Sequence, residues 1–273
     1  AQKVAAHERH DTSLMSAVSA LISSLLALVF FVITAPGTEI SSTLWWLGLA
    51  SGFLFIGFSI TRLESLQFID AAIFFPLYKV LGPALVAAIG IFFLKDVVAL
   101  PELIGIALSC LVPLLLLSRH ENHRQKNLKL GLLFLLASTV LSAIAAGVNA
   151  LFVGPSPDFA LPLVVIANGF AAIFGFILFF RKHPRKDAVR AFRASFTKRF
   201  GVMTLAIGLT QLFSFYFLLL AIAGENLSVV YSINAHYILI PVLLSVWFYK
   251  EHWNIRKALA LVISTLALVL LHH

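Results

Sequence analysis

The sequence predicts an all-α integral membrane protein of two inverted five-helix repeats. Nine transmembrane helices are visible, and the first helix of repeat one is missing. Three observations predict this: composition, the length of the apolar runs, and a repeat. The chain is 60% hydrophobic and 12% charged, with 25 Phe, whereas a soluble domain is roughly half apolar and about a quarter charged. A globule of 273 residues cannot hide that much apolar surface, so lipid is the expected solvent. The apolar runs approach the ~20 residues that a spanning helix needs. Finally, residues 54–116 return as residues 209–271 in a gapless register.

Nine spans are expected: 13–35, 44–61, 68–94, 100–117, 128–153, 160–180, 200–222, 226–249 and 255–271. Short breaks such as Ala35-Pro36-Gly37 and Gly154-Pro155-Ser156-Pro157 separate them. The longest break, 181–199, is basic and is expected to form an interfacial helix. The period-2 alternation of a membrane β-barrel is missing. The first apolar run is long enough to span and does not read as a cleavable signal. The lone Cys110 excludes an intramolecular disulfide and reads as a small packing residue.

Charge sets the orientation. Eighteen of the 20 Lys and Arg fall at the N-terminus, in breaks 61–67, 118–127, 181–199 and 250–257, or at Lys129. Those segments share one side, and the opposite side receives only Lys95. The positive-inside rule puts the basic set, including 181–199, in the cytoplasm. The formal charge of +8 thus reads as topogenic anchoring, with no nucleic-acid partner expected. The expected location is a bacterial inner membrane, with the lipid bilayer as a partner.

In the repeat, Leu54, Phe58, Ser59 and Leu63 fall on Leu209, Phe213, Ser214 and Leu218. Phe93-Leu94-Lys95-Asp96 falls on Phe248-Tyr249-Lys250-Glu251, Asp70 on Glu225, and Ser109 on Ser264. The segment led by Asp70 starts on the cytoplasmic side and the one led by Glu225 on the other. The repeat unit is therefore five helices and the halves are inverted. Residues 1–117 form the first half and 128–273 the second. The counterpart of span 128–153 would precede Ala1, so a further upstream helix is expected. An internal repeat in a membrane chain marks a secondary transporter.

The residues carry a resemblance as well. A short break at Leu63–Gln67 leads into a helix with Pro83, followed thirteen residues later by Asp96 and then by the apolar helix 103–117. The second half repeats this with Ala221-Ile222-Ala223-Gly224-Glu225-Asn226, Lys250-Glu251 and 258–271. This arrangement resembles the drug/metabolite transporter superfamily, in its EamA-like branch, over nearly the whole chain. It departs at Pro241, which stands ten residues before Glu251. It departs also in orientation: the family's ten-helix members usually keep both termini in the cytoplasm, whereas the basic residues here place the C-terminus outside. The resemblance implies transport of a small metabolite such as an amino acid, often exported.

Lys79 is the sharpest site candidate. It lies near the middle of 68–94, where a Lys costs about 2.5–3.5 kcal/mol on insertion scales. Either interface is about 15 Å away along the axis at 1.5 Å per residue, so snorkelling offers little relief. It reads as a cationic contact for a carboxylate or phosphate on the substrate; the alternative is an amine bound by helix carbonyls or a buried acid. Pro76, Gly82 and Pro83 are expected to break the backbone nearby, as transporters do at their sites. Tyr78 adjoins Lys79, and Asn234 is its repeat partner. Tyr231 shares a face with Asn234, and Ser232 shares another with His236; an imidazole can carry a proton near neutrality.

Gln211, Ser214 and Tyr216 make 200–222 partly polar, and Asn149 and Asn168 are single polar residues in their spans. All of these can equally glue helices together. Asp70 and Glu225 open their helices, where a carboxylate suits the macrodipole or serves as a gate or proton-coupling site. Lys95-Asp96 and Lys250-Glu251 read as interfacial anchors.

No cofactor, metal site or enzymatic activity is expected. His7-Glu8-Arg9-His10 has the wrong spacing for the zinc motif, and no Walker motif, G-x-S-x-G or C-x-x-C occurs. Asn226-Leu227-Ser228 matches a glycosylation sequon but hugs the membrane edge and is discounted, and His272-His273 reads as a tag remnant. The sequence thus reads as a secondary transporter of a small polar, carboxylate-bearing solute. Its cavity is expected to be lined by Lys79, Tyr78, Gln211, Tyr231, Asn234 and His236. The alternative is a non-transporting polytopic protein, a lipid-modifying enzyme or structural subunit.

Overall fold

The computed structural model describes residues 11–34, 40–116, 127–153, 157–183, 192, 195, 197–240, 243 and 255–272. Among the described residues nine α-helices follow in order: α1 Thr12–Thr34, α2 Ser42–Phe68, α3 Ala71–Ile89, α4 Leu100–Leu115, α5 Leu128–Val153, α6 Ala160–Lys182, α7 Lys198–Gly224, α8 Leu227–Ala235 and α9 Ile255–Leu271. Among the described residues no strand occurs. A segment in hydrocarbon must satisfy its own backbone, which only the helix does locally. Among the described residues six segments are long and apolar enough to cross a membrane: α1, α2, Ile73–Leu94, α5, α6 and α7. The chain is a multi-pass helical membrane protein.

Short polar residues start several helices by accepting the otherwise unpaired first N–H groups. Asp11 Oδ1 accepts from the Ser13 and Leu14 amides at 2.9 and 3.0 Å. Ser41 does the same for α2, Asn127 for α5 and Thr197 for α7. Helix α3 runs unbroken through both Pro76 and Pro83, then passes into a π-helical turn, Gly90–Leu94. The expected break near Lys79 falls instead on the opposing helix. There α8 stops at Ala235 and tightens into a 3₁₀ turn, His236–Ile238. Pro241, Lys250 and Glu251 lie outside the described residues, as do most of break 181–199 and the His7–His10 segment.

Two compact units emerge, and each draws helices from both sequence halves. The first comprises Ala1–Gln67 and Val148–Gly224. Within it α1 lies antiparallel to α6: Leu14 shares a buried cluster with Phe179, Ala17 meets Gly175, and Ser24 donates to the Val165 carbonyl at 2.8 Å. Helix α2 approaches α6 closely at Gly48 and Gly52, where a Cβ would run into Ile166 and the Ala167 carbonyl. Helices α2 and α7 are also antiparallel, with Phe55 and Phe215 rings 6.1 Å apart and Leu63 beside Ile207 in one pocket.

The second unit comprises Phe68–Gly147 and Glu225–His273. Here α3 and α8 are antiparallel: Ala87 clusters with Val229, while Lys79, earlier in α3, reaches Asn234, later in α8. Helices α4 and α9 repeat the pattern. Gly105 meets Ala267 and Leu271, and Val112 and Leu116 cluster with Ala260.

Candidate functional site

Lys79 is 6% exposed in the middle of α3. Its Nζ donates to the Asn234 carbonyl oxygen at 3.4 Å and lies 3.7 Å from the centre of the Tyr237 ring. The 3₁₀ turn after Ala235 reshapes the backbone around that carbonyl. A ring face is a weak anion to a cation and gains strength when water is kept away. A long hydrogen bond and a π face are thus among the contacts of the amine. Either can yield to a carboxylate or phosphate, which binds an ammonium more strongly than a neutral acceptor does.

Tyr78 and Tyr231 are half-buried. Tyr78 stacks on the fully buried Phe74 with ring centres 5.6 Å apart, and its hydroxyl donates to Ser142 Oγ of α5 at 3.1 Å. His236 Nδ1 lies 2.9 Å from the Ser232 carbonyl oxygen. A carbonyl only accepts, so Nδ1 carries the proton. Its Nε2 is buried with no hydrogen-bond partner among the described residues.

Lys79, Tyr78, Tyr231, Asn234 and His236 thus share the second unit, with Lys79 touching Asn234 directly. Gln211 belongs to the first unit, where its Nε2 donates to Asn168 Oδ1. Asn149 in that unit accepts from Ser51 at 2.6 Å. Asp70 holds the N-cap position of α3 with no side-chain capping bond, and Glu225 sits in the bend before Asn226.

Three features escaped the sequence. Tyr237 is one: nothing in the residues around Asn234 marks it as a partner of Lys79. The role of Asp96, expected as an interfacial anchor, is another: its Oδ2 accepts from both the Ser228 amide at 3.0 Å and the Ser228 hydroxyl at 2.7 Å, so it serves the N-terminus of α8. Asn226 adds a bond to the Val97 carbonyl at 3.1 Å. The third is a row of hydroxyls on α1, Thr12, Ser16, Ser19 and Ser23, all buried. Their spacing of four, three and four was a readable signal.

No protein-family model matches the chain, and no curated protein is similar to it. A solved structure described only as "Crystal structure of protein" is similar, with a TM-score of 0.75 at 13% identity over 98% of this chain and 92% of that one. The fold has a solved counterpart. At that identity the likeness carries the fold alone.

Proposed function

We propose that this chain is a secondary transporter that moves a small polar metabolite, an amino acid or other carboxylate-bearing solute, by alternating access. The observation that carries this reading is Lys79, a buried ammonium where two helices of the repeat cross. Its bonded carbonyl belongs to Asn234, the residue 155 positions on and its own counterpart in the repeat register. Contacts elsewhere support inverted halves. Gly105 against Ala267 and Leu271 is mirrored by Ala260 clustering with Val112 and Leu116, the same offset exchanged between helices. Ala17 against Gly175 is mirrored by Ala20 clustering with Ala172. Partners that lie antiparallel at a constant offset are what a two-fold axis in the membrane plane produces.

This reading agrees with the resemblance to the EamA-like branch of the drug/metabolite transporters, and places the basic breaks in the cytoplasm of a bacterial inner membrane. Purified protein in proteoliposomes, offered amino acids, organic anions and sugar phosphates, tests it. Saturable flux of a carboxylate-bearing solute is expected. Intact protein that moves none of the panel would defeat the proposal.

A further inference from the structure

A second set of polar side chains gathers inside the first unit. Ser16 and Ser19 of α1, Ser59 of α2 and Gln211 of α7 line a pocket walled by Met15, Leu63 and Ile207. It has room for about one water-sized occupant. The directions of the surrounding hydrogen bonds decide what it offers. Asn168 Nδ2 donates to the Val164 carbonyl at 2.9 Å, so its Oδ1 accepts, and it accepts from Gln211 Nε2. Gln211 is left with its Oε1, an acceptor. Ser19 spends its proton on the Met15 carbonyl at 2.8 Å, leaving lone pairs. Ser16 is 5% exposed and its Oγ has no hydrogen-bond partner among the described residues.

The pocket is therefore rich in acceptors and bears no formal charge. A carboxylate stands close by: Glu64, next in sequence to the lining Leu63, accepts from the Thr12 hydroxyl at 2.7 Å, one turn before Ser16. Arg62 flanks Leu63 on its other side, lies over the Phe58 ring 5.4 Å from its centre and, like Glu64, is not among the lining residues. Hard oxygen ligands suit a hard cation. Without a carboxylate among the ligands, a single positive charge is favoured over a divalent ion, whose sites rely on Asp and Glu. The size excludes an organic ammonium.

We infer that this pocket binds a monovalent alkali cation of the Na⁺ class, held by Ser16, Ser19 and Ser59 hydroxyl oxygens and Gln211 Oε1, and that this ion couples to transport. The coupling rests on the transporter reading; the binding does not. The test is ²²Na⁺ binding to the purified full chain in lipid nanodiscs, in a choline background. Saturable binding, displaced by Na⁺ and much less by K⁺, is expected. Ser16→Ala and Ser59→Ala should each weaken it by about tenfold or more, the loss of one oxygen bound to a charge. Thr265→Ala, a hydroxyl on the exposed face of α9, should leave it unchanged. If Ser16→Ala does not fold, Ser59→Ala carries the comparison. No saturable binding by the unaltered chain overturns the inference, since the occupant is then water. Wild-type affinity in both serine variants overturns it too. Na⁺ binding without solute flux would keep the cation site and sink the transporter reading. Solute flux indifferent to a Na⁺ gradient would overturn the coupling.

Discussion

Lys79 links α3 to the end of α8 through the Asn234 carbonyl and to the 3₁₀ turn beyond it through the Tyr237 ring. A buried amine is costly to desolvate, and contacts of this kind offset part of that cost. Tyr237→Leu should lower stability by about 1–2 kcal/mol, the worth of a desolvated cation–π contact plus some lost packing. In the Lys79→Met background the same change should cost about 1 kcal/mol less, because the cation is gone. Equilibrium unfolding of the four proteins in detergent measures this coupling, and full additivity would show that the ring does not hold the amine. Lys79 was legible because one charge in an apolar run of this length is conspicuous. Tyr237 was not, because a tyrosine in a membrane helix is ordinary until its neighbour across 158 residues is known. The pairing of Ser51 with Asn149 was hidden for the same reason: periodicity records which face a residue occupies, not which helix meets it.

Among the elements, the link between α3 and α8 carries the most chemistry outside Lys79. The α3 end winds into a π-helical turn and closes at Lys95 with φ 63°, a left-handed conformation that costs a non-glycine residue. That turn delivers Asp96 to the Ser228 amide in the first turn of α8. Sequence reasoning gave the helix-opening carboxylates as Asp70 and Glu225, because they precede their helices directly. Asp70 does hold the N-cap position of α3, but at α8 the acid comes from the loop after the π-helical turn, and no local pattern announces it. Asp96→Ala should destabilise the protein by about 1–2 kcal/mol through the lost acceptor and the unpaired α8 terminus. Hydrogen exchange at the Ser228 amide should quicken with it. Unchanged exchange there would mean that water replaces Asp96 at no cost. Helix limits themselves were largely legible: α5 and α9 fall on the expected 128–153 and 255–271. The break was misplaced, because Pro76 and Pro83 sit in a helix whose neighbours tolerate them while α8 ends without a proline.

At the scale of the molecule, composition and run length gave the membrane class because lipid leaves the backbone few alternatives. The two compact units were not legible. They interleave segments from both sequence halves, and which helices associate depends on close approaches such as Gly52 on α6 and Gly105 on α9. Orientation is open to a direct check. With Cys110 replaced by Ser, a cysteine at Lys182 should react with an impermeant thiol reagent only from the cytoplasm. One at the exposed Val97, beside Lys95, should react only from the other side. On the proposed function, the buried ammonium of Lys79 binds the transported anion. Proteoliposome uptake by wild type and Lys79→Met, matched for folded protein by thermal unfolding, tests it most directly. Loss of a buried charge partner should cut uptake of the carboxylate-bearing solute by roughly 30-fold or more, the equivalent of ~2 kcal/mol. Uptake at the wild-type rate in Lys79→Met would contradict the account.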